Sequence, residues 1–161
     1  MSEDKISYEY ESARSRIIHE RSSIKLPILA ETIKYNPKYM TVDTHALRAT
    51  EWDNVKKSKL IESFIVNFPV PPIILYEKEH KQYQVIDGRQ RLKAIVDFYN
   101  NQLVLSGLDI KHELDGCTYG TLPTKFKAEL NRHSLYLISI MPDNATPEEI
   151  ARLIEILQNR L

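Results

Sequence analysis

The sequence predicts a mixed α/β (α+β) domain, a small sheet flanked by helices. Three observations lead there. Apolar residues recur at helical spacing in several separate stretches, two short β-type runs are divided by a polar turn, and a strand runs through glycine directly into a helix. At 161 residues the chain suits one compact core that needs neither metal nor disulfide staples.

The elements follow in order. Residues 1 to about 22 are polar and rich in Glu, Ser and Arg, and read as an exposed helix or an arm preceding a domain over 23–161. Leu26-Pro27-Ile28-Leu29 opens a helix with proline in its first turn, which stops before Asn36-Pro37. Asp53 is an N-cap, and Leu60, Ile61, Phe64, Ile65 and Phe68 share one face of the next helix, closed by Pro69, Pro71 and Pro72. Ile73–Tyr76 and Gln82–Ile86 form a hairpin around the polar Glu77–Lys81. After Asp87-Gly88, a helix carries Leu92, Ile95, Val96 and Tyr99 on one side. Leu103–Leu108 reads as a short strand ending at Gly107, Asp115-Gly116 as a turn, and Leu122-Pro123 as the start of a short helix to about Asn131. Leu135–Met141 is a strand. Thr146-Pro147-Glu148-Glu149 is a capping box opening a helix striped by Ile150, Leu153, Ile154, Leu157 and Leu161. That stripe reaches Leu161, so the helix is expected to dock on a further part of a longer protein or on a second copy, giving a homo-oligomer.

Composition narrows the function. Lys+Arg and Asp+Glu are both 22, which disfavours coating nucleic acid or membrane by bulk charge and leaves a local basic patch open. A single cysteine excludes an intrachain disulfide. No apolar run approaches the ~18 residues that span a bilayer, and the charged start is not of signal-peptide type, so a cytoplasmic protein is expected.

Chemistry concentrates in Val85-Ile86-Asp87-Gly88-Arg89-Gln90-Arg91. Glycine between strand and helix permits positive φ and close approach of a ligand. The helix start offers unpaired N–H groups and the positive end of the dipole, and two arginines add fork-shaped donors suited to phosphate. Arg89 and Arg91 would project about 200° apart around the axis, so they are not expected to do one job. The alternative is a plain tight turn with Asp87 as N-cap and solvated arginines; the residues alone leave both open.

Asp87-Gly88-Arg89-Gln90-Arg91-Leu92 resembles the Asp-Gly-Gln-Gln-Arg-Leu signature of the GmrSD-type restriction endonuclease N-terminal domain family, within the ParB/sulfiredoxin-like superfamily. Further landmarks stand in the same order: Leu60-Ile61-Glu62-Ser63-Phe64, Phe68-Pro69-Val70-Pro71-Pro72-Ile73-Ile74-Leu75-Tyr76, Leu105-Ser106-Gly107-Leu108, Leu114-Asp115-Gly116 and Leu122-Pro123. The resemblance spans roughly residues 24 to 161. It implies a ParB-like fold and a module that binds a nucleoside triphosphate with Mg²⁺ and couples its binding or hydrolysis, as an NTPase, to restriction of modified phage DNA. It implies Arg48 and Asp87 as catalytic residues, with Gly88, Arg89, Gln90 and Arg91 lining the phosphate pocket and a nuclease domain or chain as partner. Two positions depart from the pattern. Leu47 stands where the family has a glutamine before Arg48 and Trp52, and Arg89 replaces the first glutamine of the signature. The added arginine favours phosphate, whereas an amide able to position water is missing at Leu47. Because Arg91 is shared with the signature and Arg89 is not, the resemblance assigns Arg91 to the pocket and Arg89 outward, toward DNA. The alternative is therefore a non-enzymatic DNA-binding or partner-docking module that keeps the fold without turnover.

Lys56, Lys57 and Lys59 crowd an early helical turn where the dipole disfavours cations, and are candidates for a DNA-facing patch. Glu77-Lys78-Glu79 matches a nuclease fragment but reads as a solvated hairpin tip. His19, His45, His80, His112 and His133 lack metal-ligand spacing, Cys117 lacks an orienting partner, and no Walker-type loop occurs, so no resident metal centre is expected.

Overall fold

The computed structural model describes residues 2–5, 7, 17–41, 51–142 and 146–161. A five-stranded mixed sheet carries the domain. Its strands are β1 (Ile17–Lys25), β2 (Met40–Thr41), β3 (Ile73–Glu79), β4 (Gln82–Asp87) and β5 (Ser134–Pro142), in the order β1-β5-β3-β4-β2. The β1–β5 and β3–β4 pairs are antiparallel, and β3–β5 and β2–β4 are parallel. Helices α1 (Leu26–Tyr35), α2 (Asn54–Ile65), α3 (Arg89–Tyr99) and α4 (Thr124–Arg132) pack with the sheet around one core, built on Leu29, Ile61, Ile73, Leu75, Ile95, Phe98 and Leu130. Helix α5 (Pro147–Arg160) lies against β4.

The stripes read from the sequence become these helices. Asp53 caps α2 by accepting the Lys56 N–H at 2.8 Å, and Thr146 caps α5 by accepting the Glu149 N–H at 3.2 Å. The hairpin forms with its tip at His80-Lys81, where Lys81 takes φ 59° and its N–H reaches the Glu77 carboxylate at 3.3 Å.

Several expectations are corrected. Ile17–Ser22, set aside with the polar arm, belong to β1. As an edge strand, β1 has only one side to pair, so it tolerates a charged sequence that also discourages further pairing. Leu103–Leu108 is not a strand. It is an extended loop held by a pair of backbone bonds, Leu105 N–H to Cys117 C=O and Gly116 N–H to Leu105 C=O, at 2.8 and 2.7 Å. The prolines do not end α2. Asn67 enters the left-handed region at φ 62°, and the Phe68 N–H closes on the Ser63 carbonyl at 2.7 Å, a Schellman stop two residues before Pro69. Phe68 accordingly leaves the apolar face and is 54% exposed. No residue of α5 is fully buried; Ile150, Leu153, Ile154 and Leu157 are half-covered, while Leu161 is exposed.

Helix α2 also fixes the loop that the sequence read as a strand. The buried Glu62 carboxylate accepts three backbone N–H groups, from Asp109 at 3.1 Å, Ile110 at 3.0 Å and Lys111 at 2.8 Å. One turn earlier, the Ser58 hydroxyl accepts the Ser106 N–H at 3.1 Å. Gly107 passes so close to α2 that a Cβ would come within 2.9 Å of Val55. The landmark segments around Glu62 and Gly107 are thus two halves of one contact.

Candidate functional site

The Asp87–Arg91 turn is where β4 becomes α3. Gly88 is the N-cap, with φ 98°, and no side chain among the described residues caps the helix. Asp87, the cap in the plain-turn alternative, turns its carboxylate to Arg91. The first intrahelical bond runs from the Leu92 N–H to the Gly88 carbonyl at 3.0 Å, which leaves the N–H groups of Arg89, Gln90 and Arg91 without an intrahelical partner.

The arginines part as their spacing requires. Arg91 folds back over the turn. Its Nη2 donates to the Pro72 carbonyl at 2.8 Å and to Asp87 Oδ2 at 3.3 Å, and its side chain is only 15% exposed. It thereby ties the start of β3 to the end of β4. Arg89 projects on another side, into a recess of about 200 Å³ that it shares with Ile33, Met40, Leu92 and Lys93. The space a Gly88 side chain would need is already filled. A Cβ would sit 2.8 Å from Ile73 Cγ1 and 2.9 Å from Arg91 Nη2. Glycine here serves the turn and the packing of Arg91, where the sequence suggested room for a ligand.

Gln90 is buried, and its Oε1 accepts the Trp52 N–H at 3.2 Å. The Arg48–Trp52 segment and the signature are joined at this bond. Arg48 itself and Leu47 lie outside the described residues. Two donors at the junction, Gln90 Nε2 and Arg91 Nε, are buried and have no hydrogen-bond partner among the described residues. Buried orphans of this kind are few in native proteins, and each invites an acceptor.

The three lysines do not make one patch. Lys57 is buried and pairs with Asp97 at 3.2 Å and, more loosely, with Glu51 at 3.8 Å, so its assignment to a DNA-facing surface is corrected. Lys56 lies over the Trp52 ring at 4.8 Å, and Lys59 meets Asp109 at 3.2 Å. Asp97 also takes Lys93, so α2 and α3 are bolted by a small ion network.

Burial raises the phenols of Tyr39, Tyr83 and Tyr99 above their ordinary range, with Tyr119 adding to the effect at Tyr99 and Glu77 at Tyr83. Tyr99 is thereby kept as a neutral donor to Asn131 Oδ1 at 2.7 Å, and Asn131 Nδ2 in turn donates to the Tyr119 oxygen at 3.0 Å. This chain and the Glu62 clamp escaped the sequence reading. The available signal for the clamp was a carboxylate standing inside an apolar helical stripe.

Among the described residues, no group of three or more His, Cys, Asp or Glu side chains could hold a metal ion. No helix among them is long and apolar enough to cross a membrane. No curated protein matches the chain. The family model described as GmrSD restriction endonuclease, N-terminal domain, matches residues 48–160, well over half of the sequence. Its span holds α2, the glycine turn, the clamped loop and all of α5. The chain belongs to the family of GmrSD restriction endonuclease N-terminal domains.

Proposed function

We propose that this chain is the nucleotide-responsive part of a DNA restriction system. It binds a nucleoside triphosphate at the Asp87–Arg91 turn and couples nucleotide state to cleavage of modified DNA by a nuclease domain or partner chain. The observation that carries the reading is a helix start that, among the described residues, has neither a side-chain cap nor partners for two buried donors beside it, Gln90 Nε2 and Arg91 Nε. Successive N–H groups at the positive end of a helix favour anions, and the buried donors gain most from an acceptor that carries charge.

In this reading the main-chain N–H groups of Arg89, Gln90 and Arg91 hold phosphate oxygens. Arg89 supplies the mobile charge, and Arg91 positions Asp87 and the turn. Arg48, outside the described residues, keeps the part its sequence position implies. Asp87 fits Mg²⁺ as the carboxylate at the turn, because Mg²⁺ commonly enters with the phosphates and several waters and needs only one or two protein carboxylates. Bound there, Mg²⁺ would neutralise phosphate charge. The half-covered stripe of α5 is where the rest of the restriction machinery would pack.

Leu47 favours a second reading, a nucleotide-binding or docking module without turnover. One experiment separates the two. Each of the four ribonucleoside triphosphates is titrated with Mg²⁺, and binding and phosphate release are followed together. Binding of at least one is expected. Release would assign hydrolysis, and binding without release would assign a switch. Failure of all four to bind would overturn the reading.

A further inference from the structure

The start of β5 opens onto a groove of about 440 Å³ at the end of the sheet. Its origin lies in the sequence. Pro69, Pro71 and Pro72 carry no N–H, and the β3–β5 ladder begins only at Ile73–Leu137, so Ser134–Tyr136 have no strand partner on that side among the described residues. The left-handed Asn67 throws Phe68 out onto one rim, and Tyr136, 63% exposed, stands on the other. Lys25, Arg132 and His133 also line the groove, and among the described residues no Asp or Glu does. Lys25 Nζ donates to the Arg132 carbonyl at 2.5 Å, which holds the two basic segments together. Glu129 pairs with Arg132 and His133 without lining the groove.

We infer that this groove binds single-stranded DNA, with Phe68 and Tyr136 stacking on bases and Lys25 and Arg132 meeting phosphates. Two exposed aromatic rings beside cations in a recess of nucleotide size are the combination that single-strand binders use, because every base has a π-face and every link a charge. An acidic stretch of protein would satisfy the cations but has less use for two open rings. The inference rests on the reading that the module works on DNA, and it relocates that contact from the lysines of α2, of which Lys57 is buried. The groove wall at Asn67–Val70 stands two residues ahead of Pro72, whose carbonyl Arg91 holds, so the groove and the phosphate turn are neighbours along the chain.

The test is fluorescence anisotropy of a labelled oligothymidylate with the full chain at several salt concentrations. Binding is expected to weaken with salt at a log–log slope no steeper than about −2, given at most three phosphate contacts. Phe68→Ala and Tyr136→Ala should each weaken it by about 5- to 150-fold. Arg132→Ala should flatten the salt slope by about 0.7. Both rings are exposed, so the variants should melt as the parent does, and nucleoside triphosphate titration of the same variants should be unchanged. Oligothymidylate affinity unaffected by both ring substitutions would overturn the inference, as would tighter binding of duplex or of an acidic peptide. Loss of oligothymidylate binding in the ring variants supports it even where no triphosphate binds, an outcome that would sink the nucleotide reading alone.

Discussion

Glu62→Ala is expected to lower the unfolding free energy by about 3–5 kcal/mol, measured by urea denaturation, one of the largest losses available to a single substitution here. Three backbone N–H groups end on this one carboxylate, inside the fold. Removing it strands all three donors and loosens the loop from Ser106 to Lys111 on α2, leaving the Ser58 hydroxyl, the Lys59–Asp109 pair and the packing of Gly107 on Val55 to hold it. Glu62→Gln keeps one acceptor oxygen but turns an NH₂ toward the same N–H groups, so its loss should be intermediate. Amide hydrogen exchange at Asp109–Lys111 should accelerate in both. A Glu62→Ala loss under about 1 kcal/mol would show that the loop is held by its apolar contacts and not by the carboxylate.

Gly88→Ala carries the second large effect, because two penalties coincide there. A non-glycine residue at φ 98° is strained by about 1–3 kcal/mol. The added methyl also lands 2.8 Å from the buried Ile73 and 2.9 Å from Arg91 Nη2, an overpacking of about 1–3 kcal/mol more. Gly116→Ala is the control. It shares a positive φ, 89°, but a Cβ there would meet nothing within 4 Å, so only the conformational penalty applies. Thermal or urea unfolding should place the Gly88 variant well below the Gly116 variant. Equal losses would mean that the packing of Arg91 over Gly88 contributes nothing. In the proposed function, the Gly88 variant also loses triphosphate affinity, because Arg91 can no longer lie across Asp87 and Pro72.

The helices and the central hairpin were legible because their signals are local. The caps at Asp53 and Thr146, the stripes through Ile61 and Ile95, and the polar break at Glu77–Lys81 each act within a few residues. Strand β1 was not legible. An edge strand is half-solvated, so Ile17–Lys25 needs no apolar alternation, and its identity depends on β5, more than a hundred residues away. The Leu103–Leu108 loop was misread for a related reason. Leu103, Leu105 and Leu108 alternate loosely like a strand, yet Leu105 bonds to the backbone of Cys117 and Gly116 and the Leu108 N–H to the Asp115 carboxylate, so no neighbouring strand is needed.

At the site, the turn and the divergence of the two arginines followed from spacing. The inward tie of Arg91 to Pro72 did not, since a carbonyl before a strand announces nothing in sequence. Lys57 misled because charge in a run reads as surface. Its counter-ion, Asp97, sits on the neighbouring helix and only the fold brings the two together.

The central claim is that phosphate binds at the Asp87–Arg91 turn. Its most direct test is a ¹H–¹⁵N correlation spectrum of the full chain titrated with Mg²⁺ and the triphosphate that binds. The account predicts saturable shifts in the backbone amides of Gly88, Arg89, Gln90 and Arg91 and in the Gln90 side-chain NH₂, with the amides of Asp109–Lys111 still. Saturable binding that moves other amides while leaving those of Gly88–Arg91 in place would contradict it.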